Sequence, residues 1–557
     1  MESKRKQEFK KGVSAEDGRR RRGETSIQLR KSQKEENLNK RRNLIAENVT
    51  FSNNDVASGS INSEVVSDKT ASVQEIPALL VGMQANDIRL QVNSVRAFRR
   101  LLSAEKNPPI QEVIDCGALS YFVNFLSCDN AAELQFESAW ALTNVASTDR
   151  TRLVVECGAV PRLVRLLNST CADVREQCAW CLGNIAGDGA DLRDIVLKAG
   201  GLQPILTNLT HPASLSLLRN CTWSLSNLCR GKPQPTLASI YDAIPVLASM
   251  LGREPSDPET MVDTAWALSY ISDGENDRIQ AVVSHNVIPS LVNMLLSPRP
   301  QSVVPALRTL GNIVSGDDSQ TQAVLNANVL PALSTLLGHS KKNIRKETCW
   351  MLSNIAAGNI DQVQLLLSTP DIIPRLLAQL SSSAEWDVRK EAAWVVSNIA
   401  TGGTRAHVQK IVEYGAIRHL CDLLLVGEAR ILLVAMDALE SILKHAGNAD
   451  TLGTYIRLID EAEGVERLEG LQEHENVEIY ERAVRLIENY FNGEEEVLEA
   501  ENTVPTAADN TFSFGLPPPQ TFGKQQQHQN FSKGFSFGDQ NASSTAAVPQ
   551  TFHFGEF

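Results

Sequence analysis

One segment recurs along this chain every 41 to 44 residues: CGALSYFVNFL at Cys116, CGAVPRLVRLL at Cys157, AGGLQPILTNL at Ala199, YDAIPVLASML at Tyr241, HNVIPSLVNML at His285, ANVLPALSTLL at Ala327, PDIIPRLLAQL at Pro370 and YGAIRHLCDLL at Tyr414. A unit of that size cannot bury its own apolar face, so neighbouring units must stack into an array. Each unit holds a short helix, a turn, a second helix entered through a proline with apolar residues at i, i+3, i+4 and i+7, a polar loop and a third helix. The spacing continues past the clearest copies, with Phe98 42 residues before Trp140 and Met436 42 residues after Trp394. A degenerate last unit covers Ala462 to Phe491, which predicts about ten units capped by Ile76 to Leu102 and by the segment ending at Phe491. The chain has 557 residues and 42 % hydrophobic content, enough for several ordinary domains; the periodicity selects one all-α array instead.

Three helices in about 42 residues is the period of armadillo and HEAT arrays. The ten cysteines are scattered among the helices, which suits a reduced intracellular compartment. Cys178 and Cys181 form a CxxC without the second ligand pair that a zinc site requires, and are expected to be buried thiols. No signal peptide and no apolar run of membrane-spanning length is present, which predicts a soluble chain.

Six of the seven tryptophans fall at one phase of the repeat, and most have an asparagine four positions later. The rungs are Trp140/Asn144, Trp180/Asn184, Trp223/Asn227, Trp350/Asn354 and Trp394/Asn398. Trp266 has Tyr270 in the asparagine position and Asn312 has Arg308 in the tryptophan position, so the middle of the ladder is interrupted. A spacing of four places both side chains on one helix face. Other phases already supply the core, as Ala139, Leu142 and Val145 do around Trp140, and an inward row of asparagines would bury unpaired amides. Arg308 at the tryptophan phase also suits a wet surface, so the ladder is expected to be exposed. A row of carboxamides can pair with the N–H and C=O groups of an extended peptide without reading its sequence. Adjacent indoles then make slots for Lys or Arg stems, worth about 0.5–2 kcal/mol each in cation–π attraction. Carboxylates at the slot ends, with Asp188 and Glu391 the candidates, select positive charge.

Charge is divided along the chain. Residues 1–42 hold 15 Lys/Arg and 7 Asp/Glu, a balance of +8; the whole chain is −13, so the remainder carries −21. Within this basic arm, the stretch from Glu24 to Leu44 has few helix breakers and could fold against an acidic partner. Residues 45–72 read as a linker whose r.m.s. span is on the order of 30 Å, enough to swing the arm over the repeats. The acidic body disfavours a nucleic-acid binder.

The motifs SAWALTNVAS, QCAWCLGNIAGD, CTWSLSNLCRG, DTAWALSYISDG, ALRTLGNIVSGDD, TCWMLSNIAAG and EAAWVVSNIATGG resemble, in order, those of the importin-α (karyopherin-α) family, including the Tyr270 and Arg308 departures. The resemblance runs from the arm to about residue 492. It implies a right-handed superhelical solenoid of about ten armadillo repeats over residues 73–495 with a disordered N-terminal arm, to which composition adds a disordered C-terminal tail. It further implies an adaptor, with no enzymatic role, cofactor or metal, that binds nuclear localisation signals of cargo proteins and shuttles between cytoplasm and nucleus. Carried over by position, Trp140, Asn144, Thr151, Gln177, Trp180, Asn184, Asp188, Trp223 and Asn227 form the major signal-binding site, where Asp188 with Thr151 holds the dominant lysine. Arg308, Asn312, Trp350, Ser353, Asn354, Glu391, Trp394 and Asn398 form the minor site, and a bipartite signal spans both. The arm, residues 1–44, resembles the importin-β-binding segment, with Lys40, Arg41 and Arg42 imitating a signal in the groove when importin-β is absent. The last unit, with LQEHENVEIYERAVRLIENYF, resembles the surface that binds the nuclear export receptor.

Two features depart from the family's pattern. The loop VASTDR before Thr151 is shorter than usual, which separates Thr151 from the pattern that Asp188 keeps. Residues 496–557 form a Gln/Ser/Pro-rich tail carrying Phe512-Ser-Phe-Gly515, Phe535-Ser-Phe-Gly538 and Phe552-His-Phe-Gly555, which look like the FxFG motifs of nuclear-pore proteins or like incidental aromatics of a solubilising tail. An armadillo scaffold of signalling or adhesion is the competing reading, but the acidic body and the Trp/Asn ladder argue against it. No P-loop, GxSxG, HExxH or metal-spaced cluster supports an enzyme.

Overall fold

A tight turn between two short helices needs a residue in the left-handed region, and the chain supplies one in the same slot of most repeats. Gly117, Gly158, Gly200, Asn286, Asn328, Asp371, Gly415 and Glu463 all have φ between 54° and 89°. Glycine, asparagine and aspartate enter this region at least cost, which explains why the recurring segment begins CGA, AGG, HNV, ANV or PDI. The second helix then starts with Pro161, Pro204, Pro245, Pro289, Pro331 or Pro374 within its first three positions, where a missing N–H costs nothing.

The computed structural model describes residues 72–104, 107–253 and 256–491, and within them every regular element is a helix. The third helices of the repeats are α1 (Ile88–Leu102), α2 (Ala132–Val145), α3 (Ala172–Asp188), α4 (Leu215–Leu228), α5 (Pro258–Ile271), α6 (Pro300–Val314), α7 (Lys342–Ala356), α8 (Trp386–Gly402), α9 (Ala429–Lys444) and α10 (Val477–Tyr490). Each packs on the next along the stack, so the predicted solenoid of ten armadillo-type units holds. Its apolar core is one continuous cluster from Ile76 to Ile487. The first unit has a single turn, Val73–Glu75, in place of its first helix. The last unit is more complete than predicted, because Ala449–Glu461 supplies its first helix. The arm with Lys40, Arg41 and Arg42, the linker up to residue 71 and the FxFG tail lie outside the described residues.

Amide side chains tie the first helices together along the stack. Gln320 Nε2 donates to Asn276 O and Gln280 Oε1, and Gln362 Nε2 donates to Asp318 O and Gln322 Oε1. In the following repeat His407 takes this place: its Nδ1 accepts from the Thr404 N–H at 3.3 Å, and its Nε2 lies 2.9 Å from Gln364 Oε1. Burial, with Lys410 adding to it, holds the His407 pKa below the ordinary histidine value. A depressed folded-state pKa gives stability that is present above the unfolded value of about 6.5 and is lost as the pH falls through the folded one. Thermal unfolding between pH 7.5 and 5, values spanning that window, is therefore expected to show a smaller loss of Tm on acidification for His407→Gln than for the parent protein. His419, also depressed by burial, titrates in both proteins and cancels in the comparison. Equal pH dependence of the two would remove His407 from the account.

Candidate peptide groove

Each rung of the ladder lies on a third helix, where a spacing of four residues places Trp and Asn on one face. The asparagines also face the preceding repeat. Asn184 Nδ2 donates to Thr143 O at 3.2 Å, Asn227 to Gly183 O at 3.0 Å, Asn312 to Ser269 O at 2.9 Å and Asn398 to Ser353 O at 2.8 Å. Asn144 donates to Ser103 Oγ at 2.9 Å and to Arg99 O at 3.4 Å. Except for Asn144, the acceptor in each case immediately precedes the asparagine position of the previous repeat. Each such bond contributes about 1 kcal/mol to the junction.

The indoles lean the same way. A Cβ on Gly183 would come within 2.5 Å of the Trp223 ring, and one on Gly311 would come closer still to Trp350. Glycine one position before the asparagine thus admits the next repeat's indole against the helix backbone. The expectation of a freely exposed ladder is corrected accordingly. Trp140 and Trp180 are 6 % and 7 % exposed, Trp223, Trp266, Trp350 and Trp394 are half-buried, and Asn144, Asn184, Asn227, Asn312 and Asn398 are buried. In these five asparagines a carboxamide N–H is committed to the fold, and what remains is chiefly Oδ1. Asn398 Oδ1 and Asn354 Nδ2 have no hydrogen-bond partner among the described residues. Buried polar atoms are rarely left unpaired, so this acceptor and donor on neighbouring rungs stand available for hydrogen bonds from outside the fold.

Other expected site residues fall differently. Asp188 is exposed at the C-terminal end of α3, one turn beyond Asn184, where the negative end of the helix reinforces its attraction for a cation. Glu391 is half-buried one turn before Trp394. Ser353 is buried, its Oγ donating to Trp350 O at 2.8 Å. Gln177 does not face an open slot: it is buried and donates through Nε2 to Thr143 Oγ1 at 2.7 Å. Thr151 is 0 % exposed, its hydroxyl donating to Ala146 O at 3.0 Å and Thr148 O at 2.8 Å, so in this conformation it presents no surface to a ligand. Arg308 is also not on a wet face. It makes a two-bond ion pair with Glu347 of the next repeat at 2.8 and 3.0 Å, and the side chains are 14 % and 6 % exposed.

Glu347 was overlooked, although its phase was available. Three residues before each tryptophan position stand Glu137, Gln177, Asn220, Asp263, Glu347 and Glu391, an acid-rich row beside the indoles broken by Pro305. Glu137 is buried and binds Arg96 and Arg99 at 2.8 Å each. The CxxC cysteines are buried as expected, and burial pushes the Cys181 thiol up to about 12. No helix among the described residues is long and apolar enough to cross a membrane.

The Importin beta binding domain profile matches residues 5–96, the Armadillo/beta-catenin-like repeat profile matches 106–147, 147–187, 189–230, 275–315 and 317–357, and the Atypical Arm repeat profile matches 453–506. Importin subunit alpha-2 of Arabidopsis thaliana is 45 % identical over 556 residues, covering 98 % of this chain and 97 % of its own. Importin subunit alpha-1b of Oryza sativa subsp. japonica is 44 % identical, covering 84 % and 86 %, and the Probable importin subunit alpha-A of Dictyostelium discoideum is 41 % identical, covering 91 % and 96 %. A crystal structure of an engineered protein superposes with a TM-score of 0.68 at 28 % identity, over 75 % of this chain and 98 % of that one. The profiles and the near-complete coverage at over 40 % identity leave one assignment: the chain belongs to the importin-α family of armadillo-repeat, non-enzymatic nuclear import adaptors.

Proposed function

We propose that the groove binds classical localisation signals of cargo proteins at two places and that the N-terminal arm controls access to both. In this reading the major site comprises Trp140, Asn144, Trp180, Asn184, Asp188, Trp223 and Asn227, with Gln177 acting through the Thr143 hydroxyl and Thr151 through the Ala146 and Thr148 carbonyls. The minor site comprises Arg308, Asn312, Trp350, Ser353, Asn354, Glu391, Trp394 and Asn398. The observation that carries the reading is the repeated rung itself: an indole, a carboxylate or amide three residues before it, and an asparagine anchored by one N–H with its oxygen left over. Lysine and arginine stems fit between indoles, Asp188 and Glu391 select their charge, and the carboxamides hold the backbone.

The basic arm, residues 1–44, links the adaptor to importin-β and, through Lys40, Arg41 and Arg42, competes for the groove when importin-β is absent. The linker, residues 45–72, keeps this competitor at an effective concentration of up to the millimolar order, so only strong signals displace it unaided. The last repeat engages the nuclear export receptor, and the FxFG tail contacts pore proteins weakly, so the protein shuttles between cytoplasm and nucleus.

A fluorescently labelled basic signal peptide tests the control. Residues 72–495 are expected to bind it about tenfold or more tightly than the full chain, and importin-β is expected to raise the full chain to the truncated level. Equal affinity of both forms would rule out autoinhibition. Retention of pore residence and of importin-β binding after deletion of residues 505–557 would remove the tail from the mechanism.

A further inference from the structure

The two terminal rungs of the ladder each carry an arginine of the chain itself. At the N-terminal end the Arg99 guanidinium lies 4.1 Å from the centroid of Trp140, and at the C-terminal end the Arg430 guanidinium lies 5.4 Å from that of Trp394. Arg99 projects from α1, one repeat before the first indole, and Arg430 from α9, one repeat after the last. Both cations therefore sit on the repeats that bound the ladder.

Arg99 is firmly held in this position. Its Nε donates to Glu137 Oε2 at 2.8 Å, its side chain is 13 % exposed, and Arg96 takes the other oxygen of the same carboxylate at 2.8 Å. Phe136 meets Trp140 edge-on with ring centroids 5.6 Å apart, so the indole has fixed neighbours on its own helix as well. A cation over an indole is the arrangement that a lysine or arginine of a bound peptide would adopt. Here the protein supplies that cation itself, and the acid at this rung, Glu137, is already neutralised by two arginines.

Building on the peptide-groove reading above, we propose that Arg99 and Arg430 are end-stops of the groove. Each occupies the outward face of a terminal indole, so a ligand's cations can be read only between the rungs, and a basic run gains nothing by extending past either end. The groove thus measures the length of a basic cluster as well as its charge.

The test is a gain of affinity, which a misfolded variant cannot mimic. A synthetic peptide with one Lys/Arg cluster for each site is compared with two derivatives, extended by one lysine beyond the outer end of either cluster, on the full-length protein. The parent protein is expected to bind all three equally. Arg99→Ala is expected to bind one extended derivative roughly threefold to fivefold more tightly than the unextended peptide, because the freed Trp140 face and the released Glu137 oxygen accept the added lysine. Arg430→Ala is expected to favour the derivative extended at the opposite end. Arg99→Gln and Arg430→Gln give the same comparison if an alanine variant fails to fold. The proposal is overturned if the parent already gains from either extension, if neither variant gains, or if both variants favour the same end. Failure of the unextended peptide to bind the parent at all would instead count against the groove reading itself.

Discussion

Trp180→Ala combined with Asn184→Ala is expected to weaken binding of a single-cluster basic peptide at least about a hundredfold. In the proposed groove Trp180 is shared by two slots, one toward Trp140 and one toward Trp223, so its loss removes a wall from both. Each slot contributes about 0.5–2 kcal/mol of cation–π attraction, and the Asn184 oxygen adds a backbone bond of about 1 kcal/mol, a sum close to 3 kcal/mol. Part of any change arises from the fold, because Asn184 also holds Thr143 O at 3.2 Å across the repeat junction. Thermal unfolding must therefore show a folded variant before its affinity is interpreted. Trp386→Ala is the control: this seventh tryptophan stands off the ladder phase, with its Nε1 donating to Glu428 Oε2 at 3.3 Å. Its replacement should leave peptide affinity unchanged. A double variant that keeps parental affinity would end the two-slot account.

Glu347→Ala is expected to destabilise the junction of α6 and α7 by about 3 kcal/mol. The Arg308 guanidinium loses both of its bonds to that carboxylate, at 2.8 and 3.0 Å, and the arginine side chain is only 14 % exposed, so water recovers little of the loss. Arg308→Ala/Glu347→Ala removes both charges, and its cost should be smaller than that of Glu347→Ala alone. In a stack whose units touch only their neighbours, the effect should be local. Amide hydrogen exchange is expected to accelerate across residues 300–356 and to stay near parental in α2 and α3. A double variant less stable than the single one would mean that the pair contributes more than it costs to bury.

How much of this was legible beforehand follows from the range of each interaction. Trp180 and Asn184 share a face because of spacing within one helix, and Gly158 or Asn286 marks a turn because only one or two residues set its backbone angles. Those features were readable residue by residue. The partner of Arg308 was not, because Glu347 is 39 residues away and its approach depends on how one repeat rotates on the next. The same holds for Gln177 on Thr143 and for Arg99 over Trp140. The burial of Thr151 was not readable either, because its hydroxyl is taken up by the Ala146 and Thr148 carbonyls of a loop whose path the sequence does not give.

The sequence by itself determined the repeat, its ten-fold succession, the phase of the indoles and carboxamides and the interruption at Tyr270 and Arg308. Each of these depends on helical periodicity or local turn chemistry, which are properties of neighbouring residues. Only the tertiary structure decided that Asn144, Asn184, Asn227, Asn312 and Asn398 give an N–H to the preceding repeat, that Trp223 and Trp350 lean on Gly183 and Gly311, and that Arg99 and Arg430 lie against the terminal indoles. Those contacts join residues about 40 positions apart. Their geometry is set by the packing of one repeat against the next, which stacking apolar faces impose and no single repeat contains.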